Sequence, residues 1–311
     1  MEIIPNSRKK LIIVQGSTAS GKTNLAIALA KNFQTEIISG DSRQFYKEIS
    51  IGTAKPTTSE MNEVKHHLID SHSITTELTA ASYSIEARKI LNVLFETKNE
   101  VVLVGGSGMF IDALTFGLDE IETSDQIKLE LEKRLETEGL ESLVKDVERL
   151  DPEFAAVVDK KNPVRIVRAL EVIYSSGQKY SAQRKGFKND LNCEIVRFSI
   201  QWEREKLYER INQRVDNMLS EGLLDEVKSV FQFRNLKSLN TVGYKELFDY
   251  FDEKMTLDEA IEKIKQHSRN YAKRQETWLK RYNDLQRLNP TSSESLLQQA
   301  LTILKEKSKI K

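Results

Sequence analysis

Apolar residues follow two different patterns over the first hundred positions of the chain. Short and almost wholly apolar runs occupy Lys10–Gln15, Glu36–Ser39 and Val101–Val104, and each run is followed by a glycine. Runs of this kind are typical of strands that are buried on both faces of a parallel sheet. Leu25–Phe33 and Ser82–Glu96 instead carry apolar residues at helical spacing. Strands that alternate with helices predict an α/β core with right-handed crossovers.

The pattern changes in the middle of the chain and then returns. Thr123–Tyr180 predicts one helix after another without a convincing strand, which indicates a helical insertion. A strand is again expected at Glu194–Ile200, and long helical segments follow at Arg204–Val230 and Leu257–Leu279. We therefore expect a discontinuous core at residues 1–120 and 190–290, a helical insertion domain at residues 121–189, and a terminal helix or frayed tail at residues 291–311.

Composition and charge limit the class of protein. The chain has 311 residues, of which 39% are hydrophobic and 30% are charged, so it can bury a core and one appendage. The net charge is zero, but lysine and arginine crowd Lys160–Lys188 and Lys263–Arg287, whereas acidic residues dominate Leu118–Glu148. A neutral protein of this kind can still present basic faces. The single cysteine and the lack of a signal-peptide or membrane-spanning apolar run predict a cytoplasmic protein without membrane association.

A complete phosphate-loop pattern follows the first predicted strand and precedes a predicted helix. The glycines of such a loop let successive N–H groups converge on phosphate oxygens, and the helix N-terminus adds positive potential. Lys22 would supply a charge to a bound diphosphate or triphosphate, and Thr23 would place a hydroxyl on Mg²⁺. The pattern predicts a P-loop NTPase-like fold, but kinases, ATPases and GTPases share it. Its eight residues are Gly16, Ser17, Thr18, Ala19, Ser20, Gly21, Lys22 and Thr23.

Several segments outside the phosphate loop match one enzyme family. Ile38–Lys47 and Ile51–Pro56 resemble the second signature of the tRNA dimethylallyltransferases. The chain departs from that family at Ser107, where threonine is usual, at Phe110, where tyrosine is frequent, and at Ser17, where the loop commonly reads Gly-Pro-Thr. Serine keeps the hydroxyl of threonine, and proline there contributes only rigidity, so we expect both roles to survive. Further matches are Lys65–Asp70, Val104–Gly108, Asn162–Val172, Tyr208–Met218, Thr241–Glu246 and Lys273–Trp278.

The resemblance implies that a dimethylallyl group moves from dimethylallyl diphosphate to the exocyclic amine of an adenosine. Negative charge grows on the departing diphosphate, so preorganised cations and N–H donors are needed around it. Lys22, the loop and a bound Mg²⁺ meet this need. By resemblance, Arg214 also reaches the diphosphate and Ser107 lies at the reaction channel. The alternative for Arg214 is an ion pair on the helix surface with Asp216 or Glu221.

The acceptor amine presents a second chemical problem. Its lone pair is delocalised into the adenine ring, and the amine must lose a proton as the new bond forms. A carboxylate within hydrogen-bond reach can orient the amine and accept that proton. Asp41, just after the second predicted strand, is the candidate, and its alternative roles are to bind Mg²⁺ through water or to cap a helix.

The resemblance further implies that the partner is the anticodon stem-loop of tRNA and that the protein is a monomer. The modified base would be the adenosine on the 3′ side of the anticodon, position 37, in tRNAs that read codons beginning with U. RNA loops are read through splayed bases and backbone contacts, so basic residues are expected near the channel mouth. The residues assigned to tRNA contact are Asp41, Ser42, Arg43, Gln44, Ser107, Lys128, Val164, Arg165, Ile166, Val167, Arg168, Asn240, Thr241, Val242, Gly243, Tyr244, Lys245, Lys273, Arg274, Gln275, Thr277, Trp278 and Lys280.

Other functions remain open from the sequence. An ATP-dependent nucleoside or small-molecule kinase would explain the phosphate loop, and so would a nucleotide-gated RNA-binding protein. Relatives that prenylate free adenine nucleotides are a closer rival, which the segments in the insertion and after Val242 disfavour. His66, His67 and His72 lie close together, but their spacing is not that of a metal site. Cys193 is expected to be a small buried residue.

Overall fold

The structure is a computed structural model that describes residues 9–118, 124–183, 191–292 and 294–309. The chain divides into two units. The first comprises the described parts of Met1–Thr115 and Leu191–Lys311, and the second comprises those of Phe116–Asp190.

A six-stranded parallel sheet forms the centre of the first unit, with the strand order β3-β2-β4-β1-β5-β6. The strands predicted near residues 10, 37, 101 and 194 are confirmed, and the P-loop-like α/β fold with them. Two short edge strands, of two and three residues, had no pattern that predicted them. The strands are β1 (Lys10–Gln15), β2 (Ile37–Ser39), β3 (His66–His67), β4 (Glu100–Gly105), β5 (Glu194–Ile200) and β6 (Gln286–Leu288).

Helices cover both faces of the sheet, and the regular structure of the described residues of the second unit is helical. They are α1 (Lys22–Asn32), α2 (Thr58–Glu63), α3 (Ala80–Thr97), α4 (Gly108–Phe116), α5 (Asp125–Glu138), α6 (Leu140–Leu150), α7 (Pro152–Val157), α8 (Pro163–Ser176), α9 (Tyr180–Gln183), α10 (Arg204–Ser220), α11 (Leu223–Ser229), α12 (Tyr244–Phe251), α13 (Leu257–Leu279) and α14 (Leu296–Lys309).

Alternate residues of β1 belong to different cores, as expected of a strand buried on both faces. Leu11 and Ile13 pack in a cluster with Tyr83 of α3. Ile12 and Val14 pack in a second cluster, which includes residues of α1 and α14. A third hydrophobic cluster contains residues of the four helices α10, α11, α12 and α13, together with residues of the segment that follows β2. The sheet is therefore held from both sides, which fixes the positions of the loops at the carboxyl ends of its strands.

The C-terminal half of the first unit follows the sequence pattern with one interruption. The helical segment expected over Arg204–Val230 is divided, because Gly222 adopts a φ of 101° and separates α10 from α11. Leu257–Leu279 is a single helix, as predicted, and begins with a capping box of Thr256 and Glu259. The last described residues form α14, whose Ala300 is buried against the core.

Residues 124–183 of the second unit form helices α5 to α9, and the structure shows no strand within that range. Their core contains Leu131, Leu143, Val147, Ile166 and Leu170. Parts of the predicted insertion, residues 121–123 and 184–189, and of the basic stretch that ends at residue 188 lie outside the described residues. None of the described helices is both long enough and apolar enough to cross a membrane.

Candidate active site

The phosphate loop connects β1 to α1 at the carboxyl end of the sheet. Gly16, Ala19 and Gly21 have positive φ angles, of 146°, 59° and 96°, so the chain curls back on itself before the helix begins. Lys22 Nζ donates a hydrogen bond to the Ser17 carbonyl at 2.6 Å. Burial lowers the pKa of Lys22 to about 8, and the Arg214 charge lowers it as well, whereas Asp41 and Glu276 act in the opposite direction. The loop is therefore a compact cationic site.

Gln275 fastens the loop to the rest of the site. The Thr18 N–H donates to Gln275 Oε1 at 2.8 Å, and Gln275 Nε2 donates to the Gly106 carbonyl at 3.0 Å. The side chain is buried, and both ends of its amide are engaged. Gln275 thus joins the phosphate loop to the loop after β4.

Two side chains hold the carbonyl groups at the far side of the loop. Trp202 Nε1 donates to the Ser20 carbonyl at 2.9 Å, and Arg210 Nε donates to the Ala19 carbonyl at 2.8 Å. The Arg210 guanidinium also stacks 4.6 Å above the Trp202 ring. With its carbonyls held from outside, the loop can direct its N–H groups inward.

Asp41 and Ser107 come from neighbouring strands. The loops after β2 and β4 meet closely, since a Cβ on Gly105 would lie 2.3 Å from the Gly40 backbone. Asp41 Oδ1 accepts the Arg43 N–H at 3.0 Å. Ser107 Oγ accepts the Ser42 N–H at 2.9 Å and lies 3.0 Å from Ser42 Oγ. The structure therefore brings these two predicted catalytic residues to one edge of the sheet.

Two cavities meet at this edge. The first cavity, of about 470 Å³, is lined by Ala19–Thr23 of the phosphate loop together with residues 104–106 and Gln275. We call it the donor cavity, after the diphosphate donor that the sequence analysis expects at the phosphate loop. The second cavity, of about 760 Å³, is lined by Ser42, Arg43, residues 240–243 and residues of α10 and α13. The residues that line both are Thr18, Asp41, Thr53, Arg214 and Tyr271. We call these five residues the shared wall.

Arg214 lies in the shared wall, where its guanidinium makes long contacts. Its Nη1 lies 3.5 Å from Thr18 Oγ1, and its Nη2 lies 3.5 Å from the Ala54 carbonyl. Burial lowers the pKa of the guanidinium, and Asp41 opposes that effect. The alternative was an ion pair on the helix surface with Asp216 or Glu221. Asp216 instead pairs with Lys265 at 2.8 Å, and the charge of Glu221 raises the pKa of Arg214 as that of Asp41 does. A partly buried guanidinium beside the phosphate loop is well suited to an anion.

Tyr271 is a member of the shared wall that the sequence analysis missed. Burial raises the pKa of its phenol, the Asp41 charge raises it further, and hydrogen bonding with Ser107 acts in the opposite direction. The phenol therefore stays protonated beside both predicted catalytic residues. Tyr271 precedes Gln275 by one helical turn of α13, so the same face of that helix carries both residues. This spacing from a residue of a signature segment was the sequence signal that could have identified Tyr271.

Glu226 is a second residue that the sequence analysis missed. Its Oε2 accepts the N–H groups of Ser50 and Ile51 at 2.7 and 2.8 Å. Its Oε1 accepts the Gly52 N–H at 2.9 Å and the Tyr244 hydroxyl at 2.6 Å. One carboxylate of α11 thus orders the loop that carries Thr53 of the shared wall. Nothing in the local sequence around Glu226 predicted this role.

Among the residues assigned to tRNA contact in the first unit, some are engaged or buried and others are exposed, while Asp41, Ser42, Ser107, Thr241, Val242 and Trp278 are partly exposed. Some have side chains engaged within the protein: Arg43 donates to the carbonyls of residues 237, 238 and 240, and Gln44 donates to those of residues 53 and 54. Tyr244 and Gln275 are buried. The exposed members are Asn240, Lys245, Lys273, Arg274, Thr277 and Lys280.

The second unit carries the remaining residues assigned to tRNA. Helix α8 begins after Asn162, whose side chain caps its N-terminus. Val164, Arg165 and Arg168 are exposed, and Val164 is 76% exposed. The side chains of residues 166 and 167 are instead buried in the core of the unit. Lys128 is partly exposed on α5.

The other polar candidates have partners of their own. His66 Nδ1 contacts the Val64 carbonyl at 2.8 Å, and His67 Nε2 contacts a Glu36 oxygen at 2.5 Å. Cys193 is buried, and burial raises the pKa of its thiol to about 11. Its thiolate is therefore a minor species at neutral pH.

Comparison with known proteins gives one consistent result. A tRNA dimethylallyltransferase 1 of Bacteroides thetaiotaomicron is 45% identical over 289 residues, which cover 93% of this chain and 94% of that protein. A tRNA dimethylallyltransferase of Flavobacterium johnsoniae is 43% identical over 88% of this chain and 91% of its own length.

Solved structures show the same relationship. The full-length tRNA isopentenylpyrophosphate transferase of Bacillus halodurans superposes with a TM-score of 0.71 at 34% identity, covering 97% of both chains. A eukaryotic dimethylallyltransferase described as acting on tRNA gives a TM-score of 0.82 at 25% identity, covering 96% of this chain and 79% of the other. A family model described as IPP transferase matches residues 44–282. The chain therefore belongs to the IPP transferase family, as the signature segments predicted.

Proposed function

We propose that the protein transfers a dimethylallyl group from dimethylallyl diphosphate to the exocyclic amine of adenosine 37 in tRNAs that read codons beginning with U. The products are N6-(dimethylallyl)adenosine and diphosphate. The observation that carries the proposal is the shared wall, because Asp41, Arg214 and Tyr271 face both cavities. A donor on one side and an adenine on the other would meet at these residues.

The donor cavity suits the diphosphate. Lys22 and Arg214 supply two cations, and the N–H groups at the start of α1 add positive potential. As the bond between C1 and the diphosphate oxygen breaks, charge moves onto that oxygen. Groups that are already in place stabilise this charge without rearrangement.

The donor cavity also offers ligands of the type that Mg²⁺ prefers. Thr23 and Asp41 both line it and carry side-chain oxygen atoms. The described residues show no group of three or more acidic, histidine or cysteine side chains that could hold a metal. Mg²⁺ usually has few protein ligands, because it keeps several bound waters and binds the phosphate oxygens of the substrate. We propose that Thr23 holds the ion, which would offset negative charge on the diphosphate.

On the acceptor side, we propose that Asp41 orients the adenine amine and takes its proton. The new bond between the amine nitrogen and C1 forms as the proton leaves. Ser107 and Tyr271 lie next to Asp41 and can fix the position of the base. Arg214 would stabilise the diphosphate from the same wall.

For tRNA binding, we propose that exposed and partly exposed cations of both units contact the anticodon stem-loop. Lys245 and Arg274 line the second cavity, while Lys128, Arg165 and Arg168 belong to the second unit. Such contacts supply affinity through the phosphate backbone, and the base is selected by the cavity. We propose that the protein acts as a monomer in the cytoplasm, where its tRNA substrate is found.

The direct test is mass spectrometry of tRNA nucleosides after incubation with unmodified tRNA and labelled dimethylallyl diphosphate. Labelled N6-(dimethylallyl)adenosine at position 37 is expected with tRNA as acceptor. Parallel reactions contain ATP with small acceptors, or the prenyl donor with free adenine nucleotides. Phosphoryl transfer, or prenylation of nucleotides but not of tRNA, would contradict the proposal.

A further inference from the structure

A carboxylate behind the phosphate loop joins three parts of the first unit. Ser17 Oγ donates to Glu276 Oε1 at 2.8 Å, and Arg287 Nη1 donates to Glu276 Oε2 at 3.1 Å. Glu276 lies on α13, directly after Gln275, and Arg287 lies on the edge strand β6. Ser17 is buried, whereas the other two side chains are about one-third exposed, at 32% and 31%. We call these three residues the clasp.

The clasp meets Lys22 through a single residue. Ser17 donates its hydroxyl hydrogen to Glu276, and its carbonyl accepts from Lys22 Nζ at 2.6 Å. Among the residues that the structure describes, neither Ser17 nor Glu276 lines the donor cavity. The carboxylate therefore acts from behind the loop and does not occupy the space of a bound anion.

Ser17 also stands where the family commonly has proline. Proline restricts the backbone at this turn by its own ring, whereas serine leaves it free. A hydrogen bond from the serine hydroxyl to a charged acceptor can restore part of that restriction, because such bonds are the stronger kind. The tertiary contacts of the clasp thus restrict the backbone at Ser17, where the local sequence has no proline to do so.

We propose that Glu276 is a positioning residue of the donor site, which fixes the start of the phosphate loop through Ser17 and so keeps the Ser17 carbonyl in place for Lys22 Nζ. The inference rests on the proposed function only in that a diphosphate occupies the donor cavity. It adds a residue outside that cavity to the machinery of donor binding.

The contacts of the clasp give the inference a measurable consequence. The Ser17 hydroxyl donates to a charged acceptor, so loss of that acceptor frees the start of the phosphate loop. The Ser17 carbonyl then no longer holds Lys22 Nζ in one position. An anion in the donor cavity should bind more weakly, whereas binding of tRNA should not change.

The experiment compares the wild-type protein with Glu276→Gln, Glu276→Leu and Arg287→Gln. We would measure kcat and the KM for dimethylallyl diphosphate with saturating tRNA at neutral pH, and the affinity for inorganic diphosphate by calorimetry. Glu276→Leu removes the acceptor of Ser17, so it should weaken diphosphate binding about threefold to tenfold, raise the KM for the donor and leave the KM for tRNA unchanged. Glu276→Gln keeps an acceptor for Ser17, so its effect should be smaller. Arg287→Gln leaves the bond between Ser17 and Glu276 in place and should stay near the wild-type values.

A rescue variant separates positioning of the loop from a general loss of structure. Addition of Ser17→Pro to Glu276→Leu should restore the affinity for diphosphate, because the proline ring restricts the same turn. Thermal unfolding checks each variant, and Ser17→Ala, which removes the same hydrogen bond from the loop side, keeps the test valid if the leucine variant is unstable. Wild-type affinity for diphosphate in a folded Glu276→Leu or Ser17→Ala protein, or failure of Ser17→Pro to restore it, would overturn the inference. Failure of the wild-type protein to use the prenyl donor would instead overturn the proposed function.

Discussion

The donor cavity and the second cavity share a wall, yet the chain builds them in different ways. The donor cavity is lined along one side by a continuous run, residues 18–24, which contains the end of the phosphate loop and the N-terminus of α1. The second cavity is lined by Ser42 and Arg43, by residues 240–243 and by residues of α10 to α13, which are far apart in the sequence. A site for an anion can be made by local backbone, whereas a site for a base requires distant segments to be packed against one another.

The two cavities also differ in what their polar side chains do. At the donor side, Lys22 and Arg214 are held near the cavity with capacity to bind an anion. Around the second cavity, the polar groups of Arg43 and Tyr244 form hydrogen bonds within the protein. Residues of the signature segments around the second cavity can therefore order a loop instead of contacting a substrate.

The largest effect is expected from Asp41→Asn, because Asp41 belongs to both cavities. The variant keeps the size of the side chain but cannot accept the amine proton. We expect kcat to fall by about 10²–10⁴ in a prenyl-transfer assay. Affinity for tRNA should stay within about threefold, since no cation or fold contact is lost.

Binding of tRNA, measured by filter retention, is the control for this variant. Asp41→Ala should likewise fold, bind tRNA and lose most turnover, although it also removes the acceptor of the Arg43 N–H. Near-normal turnover by either variant would remove Asp41 from the proton transfer. A loss of tRNA affinity without loss of turnover would assign it to recognition instead.

Lys22→Met should affect the donor side alone. The variant removes the cation and keeps much of the side-chain length, so kcat/KM for the donor should fall by about 10²–10³, while the KM for tRNA is unchanged. Because burial holds the pKa of Lys22 at about 8, the wild-type protein should lose kcat/KM for the donor as the pH rises through that value. At pH values below this pKa Lys22 is charged, so its titration should not change kcat/KM for the donor there.

Steady-state kinetics with each substrate varied in turn check both statements. A Lys22→Met protein that also binds tRNA poorly would show that the two cavities are not functionally separate. An alkaline limb that persists in this variant would show that another group titrates.

The sequence predicted the donor side well because its signals are local. Strands β1 and β5 and helix α13 begin and end where the apolar patterns indicated, and the loop between β1 and α1 followed from glycine spacing. The edge strands β3 and β6 were missed because two or three residues cannot show periodicity. Tyr271 and Glu226 were missed because their partners lie far away in the chain, and only packing brings them together.

Glu226→Gln tests how the loop of the shared wall is ordered. One carboxylate oxygen becomes an NH₂ group, which faces N–H or O–H donors and loses their hydrogen bonds. We expect the free energy of unfolding to fall by about 1.5–3 kcal/mol in urea titrations. Because Thr53 follows the ordered residues, turnover should fall in the folded variant as well.

Exposed Asp225 of the same helix provides the matched control, since Asp225→Asn removes a neighbouring charge without known contacts to the loop. Its stability should stay within about 0.5 kcal/mol of the wild-type value. Equal stability of the two variants would show that the loop is ordered by other contacts.

The smallest effect is expected in the second unit, where Arg165 contributes a single exposed cation. Arg165→Ala should raise the KM for tRNA about threefold to tenfold at low salt and leave the KM for the donor unchanged, because one phosphate contact is lost. The matched control is Lys145→Ala, which removes an exposed cation of the same unit outside the signature segments. Arg165→Ala should also lower the slope of log affinity against log salt by about one, whereas the control should not. Equal effects of the two variants would mean that the second unit attracts tRNA through its overall charge, and the base-selecting region would then be confined to the second cavity.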